Sequence, residues 1–320
     1  RTYTIIPLYI LSIYVGYYIL NFPLIFYRSY SLEHKFSLSN QRLRDWFLDQ
    51  VKSGLISYIV GLVLVGAFYF ILDIFGNNWW LVVSIFWIFV SLALAKLLPV
   101  AIIPLFFKHK KLSDQELRAR VIRLAEKMKV KVLDVFEIDF SKKTLKANAA
   151  FVGIGRTRRV ILADTLKEKY SDDEIEVILA HEFAHYRLRH LLKLVLINSV
   201  ATLFTFYLIY KTGSYVLGIF GFKSFLELAA LPIVLIYFVL FGIVMQPLQN
   251  YLSRVFEIRA DKTALEVTGL KDAFISMMDK LASQNLADRN PHPIIKFFFF
   301  DHPPIDERIA LARQSKFNDS

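Results

Sequence analysis

The 320-residue chain contains no cysteine, which excludes disulfides, thiolate zinc sites and a catalytic thiol. Any metal chemistry must therefore rest on histidine and carboxylate. The N-terminus also lacks the charged start, short apolar core and small-residue cleavage site of a signal peptide. Arg1, not Met, opens directly onto an apolar run, which leads us to expect that sequence precedes it. The apolar runs hold few charges, essentially Lys96 and the end-located Glu227. Ion and solute pathways through a bilayer are marked by intramembrane ionisable groups, so their scarcity disfavours a transporter or channel. Basic clusters are short as well. "RTRR" at 156–159 suits a solvated or headgroup-facing turn better than a phosphate-tracking groove, so no nucleic-acid partner is expected.

Hydrophobicity is what the chain has in excess. It is 55% apolar with a mean hydropathy of +0.43, against roughly 45–50% for a soluble domain. The excess is gathered in five stretches: Thr4 to Tyr27, Leu55 to about Ile74, Trp79 to Phe107 (interrupted by Lys96, Pro99 and Pro104), Leu194 to Tyr210 and Leu226 to Met245. Their length and the aromatic residues near their ends mark them as membrane spans. Crossing two spans returns the chain to the same side, so 28–54, 108–193 and 247–320 share one face. All three are rich in Lys and Arg, whereas the 75–78 turn has none. The short 28–54 loop is the most informative of them, and it places this face in the cytoplasm. Arg1 then lies on the far side, and a cytoplasmic native start would need an odd number of additional spans.

The expected organisation is 1–107, N-terminal spans with the 28–54 loop; 108–193, the first part of a catalytic domain; 194–246, a transmembrane hairpin; and 247–320, the second part. The charged 28–52 stretch reads as an amphipathic surface helix or a structured loop. "SDQELRARVIRLAEKM" offers Ser113 as N-cap with Glu116 three residues on, followed by helical periodicity. "KVLDVFEID" and "RRVILAD" read as strands, with "NAAFVGIG" as a further strand and turn. "SDDEIEVILAHEFAHYRLRH" repeats the Ser…Glu capping pattern at the start of another helix.

That helix carries His-Glu-x-x-His. At i and i+4, His181 and His185 project from nearly the same face and can share one metal ion. Glu182 lies one residue round, placed to act on a water without being a ligand. His190 falls off the ligand face and reads as a supporting or interfacial residue. A catalytic zinc site usually takes three protein ligands and leaves one position open. The best third ligand lies in "SRVFEIRADKTALE", where Glu257 and Asp261 stand at i and i+4; Glu266 is a rival. Asp261 could accept a hydrogen bond from a ligating imidazole and fix its tautomer. The hairpin of spans four and five would return this ligand to the two histidines, holding the site at the membrane surface. A metal-stabilised but inactive scaffold is the alternative, and the intact Glu182 argues against it.

Together these segments resemble the type I CAAX prenyl proteases, integral-membrane zinc metalloproteases. The resemblance is carried by "IIPLFFKHKKLSDQELRARV", "KANAAFVGIGRTRRVILADTL", "HEFAH", "SRVFEIRAD" and "DHPPIDERIALA", in the family's order. It implies a mainly α, polytopic membrane protein with a gluzincin-like zinc peptidase domain containing a small β element. It implies one zinc held by His181, His185 and Glu257, with Glu182 as base. Asn148 and Ala149 would form an edge strand that pairs with the substrate backbone. His302 would stabilise the oxyanion, and Arg308 would belong to a nearby polar network. Family members have seven membrane helices round a chamber, which implies more spans than the five seen here. Lys146 and Ala147 depart from the family's usual His and Ser, and Ala184 replaces a common Gly. The lack of cysteine and the compact loops point to a bacterial member, in the inner membrane; a eukaryotic one would lie in the endoplasmic reticulum. The substrate would be a prenylated protein or, for a bacterial enzyme, a damaged or misassembled membrane protein.

Overall fold

The computed structural model describes residues 2–146, 148–152 and 158–315. Ala147, the turn expected over 153–157 and the first half of "RTRR" lie outside the described residues. In chain order the helices are α1 (Thr2–Phe26), α2 (Leu32–Lys35), α3 (Leu43–Ile74), α4 (Trp79–Leu97), α5 (Ile103–Phe106), α6 (Gln115–Lys127), α7 (Asp164–Lys169), α8 (Asp172–Arg187), α9 (His190–Ile219), α10 (Leu231–Thr268), α11 (Lys271–Asn285), α12 (Pro293–Phe299) and α13 (Ile305–Gln314). The strands are β1 (His109–Lys111), β2 (Asp134–Ile138), β3 (Ala149–Val152) and β4 (Arg159–Ala163). The chain folds into two compact units.

The first unit takes in the chain up to Phe36, Gln41–Ala95 and Leu194–Val244. Among the described residues, five helical segments are long and apolar enough to cross a membrane, and only 6–22% of each apolar window is buried. An apolar helix that keeps most of its surface outward needs lipid as its solvent. The inward faces meet in an aromatic-rich core of Phe68, Tyr69, Trp79, Phe206 and Phe225. Phe225 packs so closely on Gly213 that a Cβ there would lie 2.5 Å from its ring. The charged 28–52 stretch resolves in an unexpected way. Its second half is the start of α3, which runs on without a break into the second span. Trp46 anchors that extension. It is buried among the rings of Phe22, Phe26 and Tyr30, and its indole N–H donates to Ser29 Oγ at 3.0 Å.

The second unit comprises Ser37–Asn40, Lys96–Lys193 and the chain from Met245 onward. Its sheet has the order β1-β2-β4-β3, with β2 and β4 parallel and both outer pairs antiparallel. The expected strands are present; β1 was not anticipated. Asp134 at the start of β2 takes Lys111 at 2.9 Å and Arg118 at 3.0 Å. Arg158 and Arg159, the described half of "RTRR", lie over the rings of Tyr186 and Phe136, Arg158 half-buried and Arg159 exposed. Helix α6 starts one residue later than its sequence suggests, because Asp114, not Ser113, accepts the Leu117 N–H at 3.0 Å. At α8 the capping box forms as read, with Ser171 and Glu174 exchanging hydrogen bonds. Val177, Leu179, Ala180, Phe183 and Ala184 then bury one side of α8 in the core. That burial fixes the rotation of the helix, and with it the direction in which its histidines project. The helix carrying Glu257 is the fifth span itself, since α10 continues through Pro247 without a break.

Candidate metal centre

His181 and His185 come from α8, Glu257 and Asp261 from α10, and Arg308 from α13. The three residues His181, His185 and Glu257 gather their ligand atoms into a small triangle. His181 Nε2 and His185 Nε2 are 3.0 Å apart, and Glu257 lies 3.3 Å from the first through Oε2 and 3.2 Å from the second through Oε1. Ligands about 2.0–2.1 Å from a tetrahedral zinc stand about 3.3–3.4 Å from each other, so the triangle has nearly the edge such an ion requires. Glu257 Oε2 is buried and accepts no hydrogen bond. A buried carboxylate oxygen left that way is costly, and a cation in the triangle would satisfy it. Glu266, the rival ligand, is exposed and stands outside this group.

Hydrogen bonds behind the triangle set which ring nitrogens face it. His181 Nδ1 lies 2.9 Å from Asp261 Oδ1. A proton on that nitrogen leaves the Nε2 lone pair directed inward. Arg308 donates to both oxygens of Asp261, at 2.7 and 2.6 Å, and its Nη2 also lies 3.7 Å from Glu257 Oε2. His185 is backed by His190, with their Nδ1 atoms 3.0 Å apart, and His190 stacks flat on Phe256. For His185 Nε2 to offer its lone pair, His185 Nδ1–H must donate to His190. The remaining His190 proton then sits on Nε2, which is buried without a partner. His190 is thus the supporting residue that its place off the ligand face suggested, with His185 as the ligand it backs.

The charge balance points the same way. Glu182, Glu257 and Asp261 against Arg308 leave two negative charges uncompensated when the imidazoles are neutral. Burial by itself would depress the His181 pKa, but the hydrogen bond to Asp261 and the nearby Glu257 carboxylate outweigh it and lift the value to about 9. The pocket holds positive charge strongly. Burial raises the Glu182 pKa, while His181 and His185 pull against the rise.

A cleft of about 360 Å³ opens beside the triangle. Glu182, His302, Asn148, Ala149 and Arg308 all line it, so every residue proposed from the sequence for substrate contact or catalysis comes to one place. His302 is half exposed, its Nε2 3.6 Å from Glu257 Oε1 and its Nδ1 2.9 Å from Asp301. Met277, Met278, Leu281 and Ile305 form an apolar wall that no motif announced. Asn148 C=O accepts the Ala163 N–H at 2.9 Å. In an antiparallel pair the next residue turns its backbone groups the other way, so Ala149 presents N–H and C=O to the open edge of β3.

The family model described as Peptidase family M48 matches residues 111–316, and the one described as CAAX prenyl protease N-terminal, five membrane helices, matches residues 2–108. An uncharacterized metalloprotease of Bacillus subtilis, YhfN, is 31% identical over 90% of this chain and 68% of its own length. CAAX prenyl protease 1 of Saccharomyces cerevisiae is 30% identical over 91% of this chain and 68% of that protein. Among solved structures, that of S. mikatae Ste24p superposes with a TM-score of 0.84 at 27% identity, covering 94% of this chain and 74% of the other.

Proposed function

The chain belongs to peptidase family M48, and from that premise we propose that this multi-pass membrane metallopeptidase holds one zinc ion with His181, His185 and Glu257 and uses Glu182 as its general base. The observation that carries the assignment is the 3.0–3.3 Å triangle of ligand atoms with its unsatisfied Glu257 oxygen. Zinc bound there supplies Lewis-acid polarisation of a peptide carbonyl and acidifies water. Glu182 takes the proton from the attacking water and passes it to the leaving amine, a task suited to a carboxylate of raised pKa. His302, oriented by Asp301, donates to the developing oxyanion. Asp261 and Arg308 keep His181 in the required tautomer, and His190 does the same for His185. Substrate backbone pairs with the edge of β3 at Ala149, which gives affinity with little sequence preference.

The catalytic domain is assembled from 108–193 and 247–320 around the transmembrane hairpin 194–246, and it faces the cytoplasm. Its substrates are membrane-associated proteins, and likeness to CAAX prenyl protease 1 favours those with a prenylated C-terminal cysteine. The test is cleavage by the detergent-purified protein of two peptides alike except for a farnesyl group. Faster turnover of the farnesylated peptide is the expected result. Equal cleavage of both would move the substrate class to unmodified membrane proteins, and cleavage of neither would refute the peptidase.

A further inference from the structure

Helix α12, seven residues long with the sequence PIIKFFF, belongs to neither the metal triangle nor the buried core. Ile294, Ile295, Phe297, Phe298 and Phe299 are each 39–68% exposed. Between Tyr251 and Ser315 only one other large apolar side chain, Leu286, is so exposed among the described residues. The patch is therefore concentrated on this one helix. Water is a poor solvent for three adjacent phenylalanines, so the face needs a cover.

The helix's attachment identifies the cover. Asn250 Nδ2 donates to Phe298 C=O at 2.6 Å, and Arg254 donates to the carbonyls of Lys296 and Phe300. These carbonyls lie at the C-terminal end of α12, where a helix leaves acceptors unfilled. Here protein side chains supply donors instead of water, which a segment entering lipid requires. Asn250 and Arg254 stand on α10, whose apolar run ends at Met245. At 1.5 Å per residue they lie about 7 and 14 Å beyond that end, Asn250 at the outer edge of a headgroup layer about 5–8 Å deep and Arg254 just past it, so that the side chains of α12 need reach back only a few ångströms to meet the layer. Leu248 and Tyr251, on the same stretch of α10, are exposed as well. At the other end, Pro293 occupies the first turn and the His292 side chain accepts the Ile294 N–H, so the helix is shaped by its own sequence.

We propose that α12 is an in-plane membrane contact whose phenylalanine face inserts at the headgroup–acyl boundary of the bilayer that the spans cross. The contact is distinct from the spans, and it anchors the segment that leads three residues later to His302. The site's mouth is thereby held at the depth where a membrane-borne peptide emerges.

The absence of cysteine makes the test direct, since one introduced thiol is the only one to react. The full chain with Phe299→Cys, and separately with Phe297→Cys, carries a nitroxide label in single-copy nanodiscs of phosphatidylcholine and phosphatidylglycerol. Ser283→Cys on exposed α11 is the aqueous control. The expected result is that oxygen relaxes the labels at 297 and 299 more than a water-soluble nickel chelate does, with the order reversed at 283. Dominance of the nickel chelate at 297 and 299 would overturn the proposal. So would a label shielded from both reagents, which would assign the face to a protein segment. In liposomes at higher density, spin–spin broadening would assign it to a second copy. Metal content equal to that of the parent confirms that each labelled chain is folded.

Discussion

Asp261→Asn tests the network behind the metal triangle. Asp261 accepts one hydrogen bond from His181 Nδ1 and two from Arg308, and its side chain is fully buried. Asparagine has one acceptor oxygen and one NH2, so in either orientation the NH2 must face a donor, Arg308 or the His181 N–H. Loss of a hydrogen bond that orients a metal ligand weakens binding about 10–100-fold, or about 1.4–2.7 kcal/mol. A buried guanidinium deprived of its partner costs about 3–5 kcal/mol of stability. That figure is an upper bound here, because Glu257 Oε2, 3.7 Å from Arg308, can take up part of the charge. It would do so in competition with the metal. The two effects separate in the double variant Asp261→Leu/Arg308→Met, which removes the stranded cation but leaves His181 Nδ1–H without an acceptor to lock its tautomer. Metal affinity is read by competition with a chromogenic chelator. Stability is read by hydrogen exchange in 172–187 and 255–265, because all four tryptophans (Trp46, Trp79, Trp80 and Trp87) lie in the first unit and would not report on this one. The expected result is a 10–100-fold affinity loss in both variants, with protection recovered only in the double. Wild-type affinity in Asp261→Asn, or no recovery in the double, would refute the reasoning.

Replacing His302 by Ala should lower kcat about 10²–10³-fold while leaving metal content unchanged, and an unaltered kcat would remove it from the reaction. Ala149→Pro deletes an outward N–H without touching the Asn148–Ala163 bond, so peptide KM should rise about 2–10-fold, the worth of one hydrogen bond; an unchanged KM would argue against edge-strand pairing. Burial alone raises the Glu174 pKa, but Lys280, Ser276 and the Ser171 N–H together hold it below its ordinary value. The stabilisation from Glu174 is therefore present above the unfolded carboxylate pKa of about 4.3 and is lost as pH falls through the lower folded value. Lys280→Met should lower the unfolding temperature at pH 7 and flatten its fall below about pH 5; an unchanged acid limb would contradict this linkage.

Much of the site was legible in the sequence because its parts obey local rules. The i, i+4 spacing of His181 and His185, the capping box at Ser171 and the continuous apolarity of the spans are each set by residues close together in the chain. The Glu257–Asp261 pair was legible for the same reason, though which histidine Asp261 serves depended on the packing of α8 on α10. What the sequence left open depends on contacts far along the chain. Ser39 pairs with Thr144 and donates to Lys143 C=O at 2.7 Å, tying the 37–40 segment to the peptidase unit. Strand β1 is three exposed residues, His109–Lys111, and exists only because β2 offers an edge to pair with. The start of α6 shifted because Asp114 competes with Ser113 as cap, a contest that pattern alone does not decide. His190 was legible as a supporting residue, but which histidine it supports was not, because Arg189, at φ 55°, breaks the helix between His185 and His190, so that helical spacing no longer applies.

The most direct test compares wild type with Glu182→Gln for bound zinc and for peptide cleavage. Gln keeps the size and polarity of the side chain but cannot carry the proton from the attacking water to the leaving amine. The account predicts about one zinc per chain in both proteins and cleavage by wild type alone. Cleavage by Glu182→Gln at the wild-type rate, or a wild type that holds no metal, would contradict it.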